Sequence, residues 1–195
     1  VGTAAGSPPA DLLATLDQAD GSAIAGVIGY ALNSLSDAYP ELKERMDVHL
    51  TDGGQAMLTS TADQCIGETA VQFFQHRTAN YTKTGRPAVE IVREDPVAMK
   101  YLEMQRVGRL KPTTPVRIVS PVNDDVVPGH QSQQLGRDWC AQGATVDMVI
   151  DPMPAMAPGL VIGHAAPMIT GLDGNLRYLD DRINGLPAPS NCGTY

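Results

Sequence analysis

The chain has 195 residues, 43% of them hydrophobic, and a formal charge of −8 with no cluster of Lys or Arg. Such a surface argues against nucleic acid as a partner and excludes a polybasic membrane anchor, leaving only hydrophobic routes to a lipid surface. No apolar run approaches the ~18 residues of a membrane span, and the length suits one ordinary domain or a core piece with an inserted lobe.

In chain order, Val1-Gly2-Thr3-Ala4 shows neither the basic start nor the apolar h-region of a signal peptide, an observation without weight if polypeptide precedes it. Val1 to Asp11 reads as the exit from a strand into a loop, with Pro8-Pro9 forbidding regular pairing. From Ala23 the pattern turns helical. Ile24, Val27, Ile28, Ala31, Leu32 and Leu35 form one continuous apolar face, which suits a core face or, alternatively, contact with lipid or an acyl chain. Pro40 opens a charged helix over Glu41 to Leu50, and Asp52-Gly53-Gly54 breaks the chain. Thr61 to Gln64 has capping-box spacing for a helix running through Ile66, Val71, Phe73 and Phe74. Asp95-Pro96 starts another, which carries Met99, Leu102 and Met104 and stops at Gly108. Residues 1–22 thus read as a core segment entering a lobe, and residues 23–108 as that lobe, built of four short helices.

Lys111 to Pro115 is a linker, after which strands and helices alternate in a C-terminal core over residues 109–195. An apolar strand, Val116 to Ser120, runs into a turn holding Asp124 and Asp125. A helix ending at Cys140 and a half-buried, edge-like strand over Thr145 to Ile150 follow. The irregular stretch Pro152 to Gly163 then delivers His164, and Leu172, Leu176, Leu179 and Ile183 mark a final helix ended by Gly185. Strand and acid, helix, strand and histidine is the order of the closing part of an α/β-hydrolase, in which acid and base follow the nucleophile. Gly-x-Ser-x-Gly, the nucleophile motif, occurs nowhere in the chain. The expected fold class is therefore α/β: the C-terminal part of an α/β-hydrolase sheet with an inserted all-helical cap lobe.

His164 is the expected catalytic base, taking a serine proton and returning it to the leaving group. Its alternative is a loop histidine with a satisfied hydrogen bond. Asp124 and Asp125 compete for the acid that orients the ring, with the other bracing the turn into Val126-Val127-Pro128. Chemistry alone does not separate them. His130, His49 and His76 lack the strand–loop context and read as solvated or capping side chains. No His/Cys/Glu group has zinc spacing and Asp52-Gly53-Gly54 lacks the remaining ligands of an EF-hand, so neither a metal nor a cofactor is expected. Met153 and Met156 are candidates for an adaptable pocket lining near His164.

Three cysteines bear on the compartment. Cys140 ends the helix between the two strands, and Cys192 sits in a polar tail where a core cysteine is out of place. Pairing them would staple the tail and require an oxidising compartment. Three reduced cysteines in a cytosolic protein are the alternative. With the pair formed, Cys65 is left over and points to a partner elsewhere.

Together these residues resemble the secretory lipase family of fungi and actinobacteria. The resemblance rests on Asn123-Asp124-Asp125-Val126-Val127-Pro128, Asp138-Trp139-Cys140-Ala141-Gln142-Gly143-Ala144, His164, Asp181-Arg182 with Gly185-Leu186-Pro187, and Asn191-Cys192-Gly193. Upstream, Gly6-Ser7-Pro8-Pro9-Ala10-Asp11-Leu12 resembles the segment after the strand that follows the nucleophile helix, and Ala38-Tyr39-Pro40-Glu41-Leu42 resembles part of the family's helical lid. The resemblance covers essentially the whole chain. It implies a secreted hydrolase of glycerol carboxylic esters with its acid at Asp124, its base at His164 and a Cys140–Cys192 disulfide. It also implies a bridge from Cys65 to a cysteine in the N-terminal half. No serine here inherits the nucleophile role.

The function expected is thus that of a triacylglycerol hydrolase fragment, which supplies acid, base and lid and is inactive alone. Its expected partners are a lipid or ester substrate, the missing N-terminal half, and a lipid interface touched by the cap. The alternative is a non-catalytic lipid- or protein-binding module, suggested by the absent nucleophile and the apolar stripe at 24–35.

Overall fold

The computed structural model describes residues 1–195 as two compact units, one comprising Val1–Ala14 with Arg106–Tyr195 and the other Thr15–Gln105. The first unit is organised by a parallel sheet of three strands, β1 (Thr3–Gly6), β2 (Val116–Pro121) and β3 (Val146–Asp151), in that spatial order. Its helices are α8 (Gly129–Ala141), α9 (Ile162–Thr170) and α10 (Leu172–Ile183); α1 (Leu12–Ala19) straddles the division between the units. Parallel neighbours need a crossover, and α8 provides the one from β2 to β3.

Alternation along the strands sends the two sets of side chains to opposite faces. Val116, Ile118, Val146 and Met148 join Leu135 of α8 in one core, with Trp139 and Tyr195 packed against it. Arg117 lies on the other face, where its Nε donates to Asn175 Oδ1 of α10 (3.1 Å). The sheet is therefore covered on both sides, as parallel sheets require. β3 is an edge strand, as its pattern suggests, and the C-terminal tail covers part of that edge. Asn191 N donates to Val146 O, while the Asn191 amide both accepts from Met148 N and donates to Met148 O (2.8 Å each). The Cys140–Cys192 disulfide fixes the tail there. Gly185 ends α10 at φ +75°, its N–H and that of Leu186 satisfying the last carbonyls. The expected apolar face of this helix is not what it buries: Tyr178 and Arg182 are buried, whereas Leu172, Leu176 and Ile183 are exposed. Arg182 explains its own burial by donating to the carbonyls of Leu186 and Pro187.

The second unit is all-helical: α2 (Val27–Ala38), α3 (Pro40–His49), α4 (Asp52–Asp63), α5 (Ile66–Gln72), α6 (Ala88–Glu94) and α7 (Pro96–Gln105), with a 3-10 turn over Thr78–Tyr81. It holds six α-helices where sequence periodicity suggests four, and the differences have local causes. Asp52-Gly53-Gly54 does not break the chain. Thr51 Oγ1 accepts from Gly54 N (3.1 Å) and caps α4. A Cβ on Gly54 would stand 2.6 Å from Tyr81 O, so a close backbone approach accounts for that glycine. Thr61 lies buried inside α4, and the capping box belongs instead to Cys65 and Glu68, whose Oε2 accepts from Cys65 N (2.9 Å). The two compact units divide at 14/15 and 105/106. The chain is already helical at Leu12, where Asp11 Oδ1 accepts from Leu13 N and Ala14 N, and Leu16 lines the interior of the helical unit. Of the 24–35 face, Ile28 and Leu35 are buried within this unit while Ala31 is exposed.

Candidate active site

In an open parallel sheet the carboxyl ends of the strands are where ligands and chemistry collect. Three polar residues lie just beyond those ends: Ser7 after β1, Asp124 after β2 and His164 after β3. The Asp124 side chain is fully buried, and its Oδ2 and Oδ1 lie 3.0 and 3.2 Å from His164 Nδ1. The imidazole retains about a quarter of its surface, and its Nε2 makes no hydrogen bond. A neutral ring with Nδ1–H held by a carboxylate presents an Nε2 lone pair, which is the arrangement of a general base.

Local bonding fixes both partners. Asp124 Oδ1 also accepts from Val126 N (2.9 Å) and Val127 N (2.7 Å), so the same carboxylate closes the turn and faces the ring. Burial pushes the Asp124 carboxyl upward, but the hydrogen bond with His164 and the Val127 and Val126 N–H groups outweigh it. The group is held below the ordinary aspartate value. Ser7 adds the weakest pull toward the charged form, and its buried hydroxyl has no well-formed hydrogen bond.

Asp125 does not brace the turn after it. It reaches to the histidine's own segment: Oδ2 accepts from Val161 N (2.8 Å) and Oδ1 from His164 N (3.2 Å). The two adjacent aspartates thus divide the work, one holding the ring and the other the backbone that carries it. Val161 is at φ +70°, an unusual conformation for a β-branched residue. Gly163 beside His164 permits a very close approach, since a Cβ there would stand 2.1 Å from Asn123 O. Asn123 is itself tied down, its Nδ2 donating to Met153 O (2.8 Å). His164 consequently sits in the first turn of α9, not in the loop before it.

Other sequence candidates fall elsewhere. His130 is exposed in the first turn of α8. His49 ends α3, and His76 Nδ1 contacts the Tyr81 hydroxyl. Met153 lines an open groove with Asp151 and Thr170, whereas Met156 is exposed. No group of His, Cys, Asp and Glu is arranged to hold a metal ion. Ser7, Val161 and Gly163 were not legible as site residues; for Ser7 the available signal was a small polar residue at the carboxyl end of a strand. Ser7 is buried at φ +44°, a strained conformation of the kind that gathers at functional sites.

A family model described as "Secretory lipase" matches residues 1–191. Among curated proteins, the secreted triacylglycerol lipase LIP5 of Malassezia globosa is 24% identical over 194 residues, 98% of this chain and 39% of that protein. Lipase 2 of Candida albicans is 27% identical over 202 residues, 98% of this chain and 41% of that one. The chain thus spans about two fifths of the length of the curated relatives it matches. Among solved structures, Candida antarctica lipase A in its closed state superposes with a TM-score of 0.83 at 21% identity, over 100% of this chain and 44% of that one. The rice cell wall degrading esterase LipA of Xanthomonas oryzae gives 0.69 at 16% identity, over 96% and 51%. These likenesses establish part of an α/β-hydrolase fold.

Proposed function

The chain belongs to the secretory lipase family, and from that premise we propose that it carries the acid, the base and the helical lid of a serine hydrolase of carboxylic esters, triacylglycerols included. The single observation that carries the proposal is the hydrogen-bonded pair of Asp124 and His164, with a fully buried carboxylate and an unengaged Nε2. The nucleophilic serine belongs to a segment outside these residues. Supporting this, the chain has no Gly-x-Ser-x-Gly and spans about two fifths of its relatives.

With such a serine in place, His164 Nε2 takes its proton as the oxygen attacks the ester carbonyl. Asp124 holds Nδ1–H and stabilises the imidazolium that forms. The imidazolium then gives the proton to the departing alkoxide, leaving an acyl-enzyme, and a water activated by the same nitrogen releases the carboxylic acid.

Secretion is part of the proposal. A Cys140–Cys192 disulfide belongs in an oxidising compartment, and the free, exposed thiol of Cys65 is consistent with a bridge to a cysteine in the same outside segment. The rival reading, a lipid-binding module built on the 24–35 stripe, loses support because Ile28 and Leu35 are buried in the lobe's own packing. The test is to assay p-nitrophenyl esters with this chain alone and joined to a family segment bearing Gly-x-Ser-x-Gly. Activity is expected only in the joined form and lost with His164→Ala. Turnover that survives that substitution would overturn the proposal.

A further inference from the structure

The segment that leaves β1 is pinned on both sides. Ser7 N donates to Val119 O of β2 (2.9 Å). Beyond it, two side chains of α8 hold the backbone: Ser132 Oγ donates to Pro8 O (3.3 Å), and Gln131 Oε1 accepts from Asp11 N (2.7 Å). Between these anchors Ser7 adopts φ +44°, a conformation that glycine takes without strain. Position 7 nevertheless carries a side chain, and its buried hydroxyl has no hydrogen-bond partner. Backbone geometry therefore does not account for a serine here.

Asp124 supplies the complement. Its Oδ1 accepts from Val126 N and Val127 N, whereas Oδ2 faces His164 Nδ1 (3.0 Å) and no backbone N–H. An ionised carboxylate offers about four lone-pair sites, so Oδ2 keeps an acceptor position open. The side chain is fully buried, which shuts solvent out of that position. A buried donor without an acceptor thus lies at the end of β1, and a buried acceptor with room for a donor lies just past the neighbouring β2. The Ser7 hydroxyl also favours the charged form of this carboxylate, as a donor would.

We propose that Ser7 is a positioning residue, whose hydroxyl donates to the Asp124 carboxylate and steadies the acid that orients His164. The role rests on the hydrolase reading above and adds to it a side chain that acts through Asp124. Without the hydroxyl the carboxylate turns more freely about its Cβ–Cγ bond and its grip on Nδ1–H loosens. The imidazolium formed during turnover is then held less well.

The experiment separates the hydroxyl from the backbone. Ser7→Gly removes the hydroxyl and relaxes φ, so a serine of purely structural use predicts a variant at least as stable and as active as the parent. With the hydroxyl in the role proposed, Ser7→Gly in the joined, serine-bearing form should lose about tenfold in kcat with KM unchanged, the low end for one hydrogen bond to a charged group. Ser7→Ala should lose as much. Ser7→Thr, which keeps the hydroxyl, should recover most of the lost kcat although its branched side chain suits this φ less well. In this chain alone, the Nδ1–H proton of His164, followed by NMR on protein labelled with ¹⁵N-histidine, should exchange with water faster in Ser7→Gly than in the parent. Parent-like kcat in Ser7→Gly, a loss confined to KM, or unaltered proton exchange would each overturn the assignment. Proton exchange involves no ester turnover. The link from Ser7 through Asp124 to His164 therefore stands or falls on it even where the joined parent proves inactive and the hydrolase proposal fails.

Discussion

Asp125 Oδ2 accepts a 2.8 Å hydrogen bond from the backbone N–H of Val161, a β-branched residue held at φ +70°. Three residues on, the other oxygen of the same carboxylate accepts from His164 N. One side chain thus secures the entry to α9 in a conformation that valine on its own avoids. Asp125→Ala leaves two N–H groups without an acceptor, each worth roughly 1–3 kcal/mol where solvent is excluded. Urea denaturation should show a loss of about 2 kcal/mol, the half-exposed surroundings keeping the figure low. Asp125→Asn, which keeps one carbonyl oxygen, should lose about half as much. If Asp125→Ala matches the parent in both midpoint and slope, the bracing role is wrong.

Asp124 has a different signature. Exchanging its carboxylate for an amide leaves the shape but supports the wrong ring tautomer, an effect of about 10⁴ in kcat in serine triads. Asp124→Asn in the joined, serine-bearing form should therefore be nearly inactive at pH 7. The same substitution should alter acid unfolding. The folded carboxyl sits below its unfolded value of about 3.9, so its stabilising contribution is fully present above that pH. That contribution disappears as pH falls through the depressed folded value. Compared with the parent, Asp124→Asn should flatten the decline in stability below about pH 4. An identical pH profile in both proteins would contradict the folded-state bonding.

Much of the site was readable because chain order and strand ends constrain it. An acid after one strand and a histidine after the next can meet only at the carboxyl edge of a parallel pair, and Asp124 and His164 do. The division of labour between Asp124 and Asp125 was not readable, because it depends on which backbone N–H groups a loop of irregular φ presents. Gly54 misled for a related reason: a glycine that admits a neighbouring carbonyl looks, in sequence, like one that ends a helix. The apolar spacing of α10 likewise states that Leu172, Leu176 and Ile183 share a face, but not that Tyr178 and Arg182 are what this chain buries.

Gly163 offers a sharp test of the close contact beside the histidine. A Cβ at this position meets Asn123 O at 2.1 Å, and that carbonyl has little freedom while the Asn123 side chain bonds Met153 O. Gly163→Ala should cost about 2–4 kcal/mol, in the range of backbone strain and overpacking. It should also reduce turnover of the joined form at least tenfold by displacing His164. Gly67→Ala is the control. It lies within α5 with open space around it, so removing a helical glycine should be neutral or stabilise by up to about 1 kcal/mol. Equal effects of the two substitutions in differential scanning calorimetry would refute the steric account.

The tail tests how β3 is kept from pairing with other chains. Exposed strand edges template aggregation, and here the amide of Asn191 occupies both the N–H and the C=O of Met148. The Cys140–Cys192 bond closes a sequence separation of 52, which chain-entropy reasoning values at about 4 kcal/mol. The two devices should separate experimentally. Cys192→Ser should lower the thermal midpoint strongly, because the constraint on the unfolded chain is gone, and the parent treated with reductant should follow it. Asn191→Ala, with the disulfide intact, should shift the midpoint little, since the edge groups it frees face water. Its effect should appear instead in light scattering, as faster aggregation at concentrations where the parent stays clear. Aggregation of Asn191→Ala no faster than that of the parent would mean that the disulfide alone, and not the amide pairing, protects this edge.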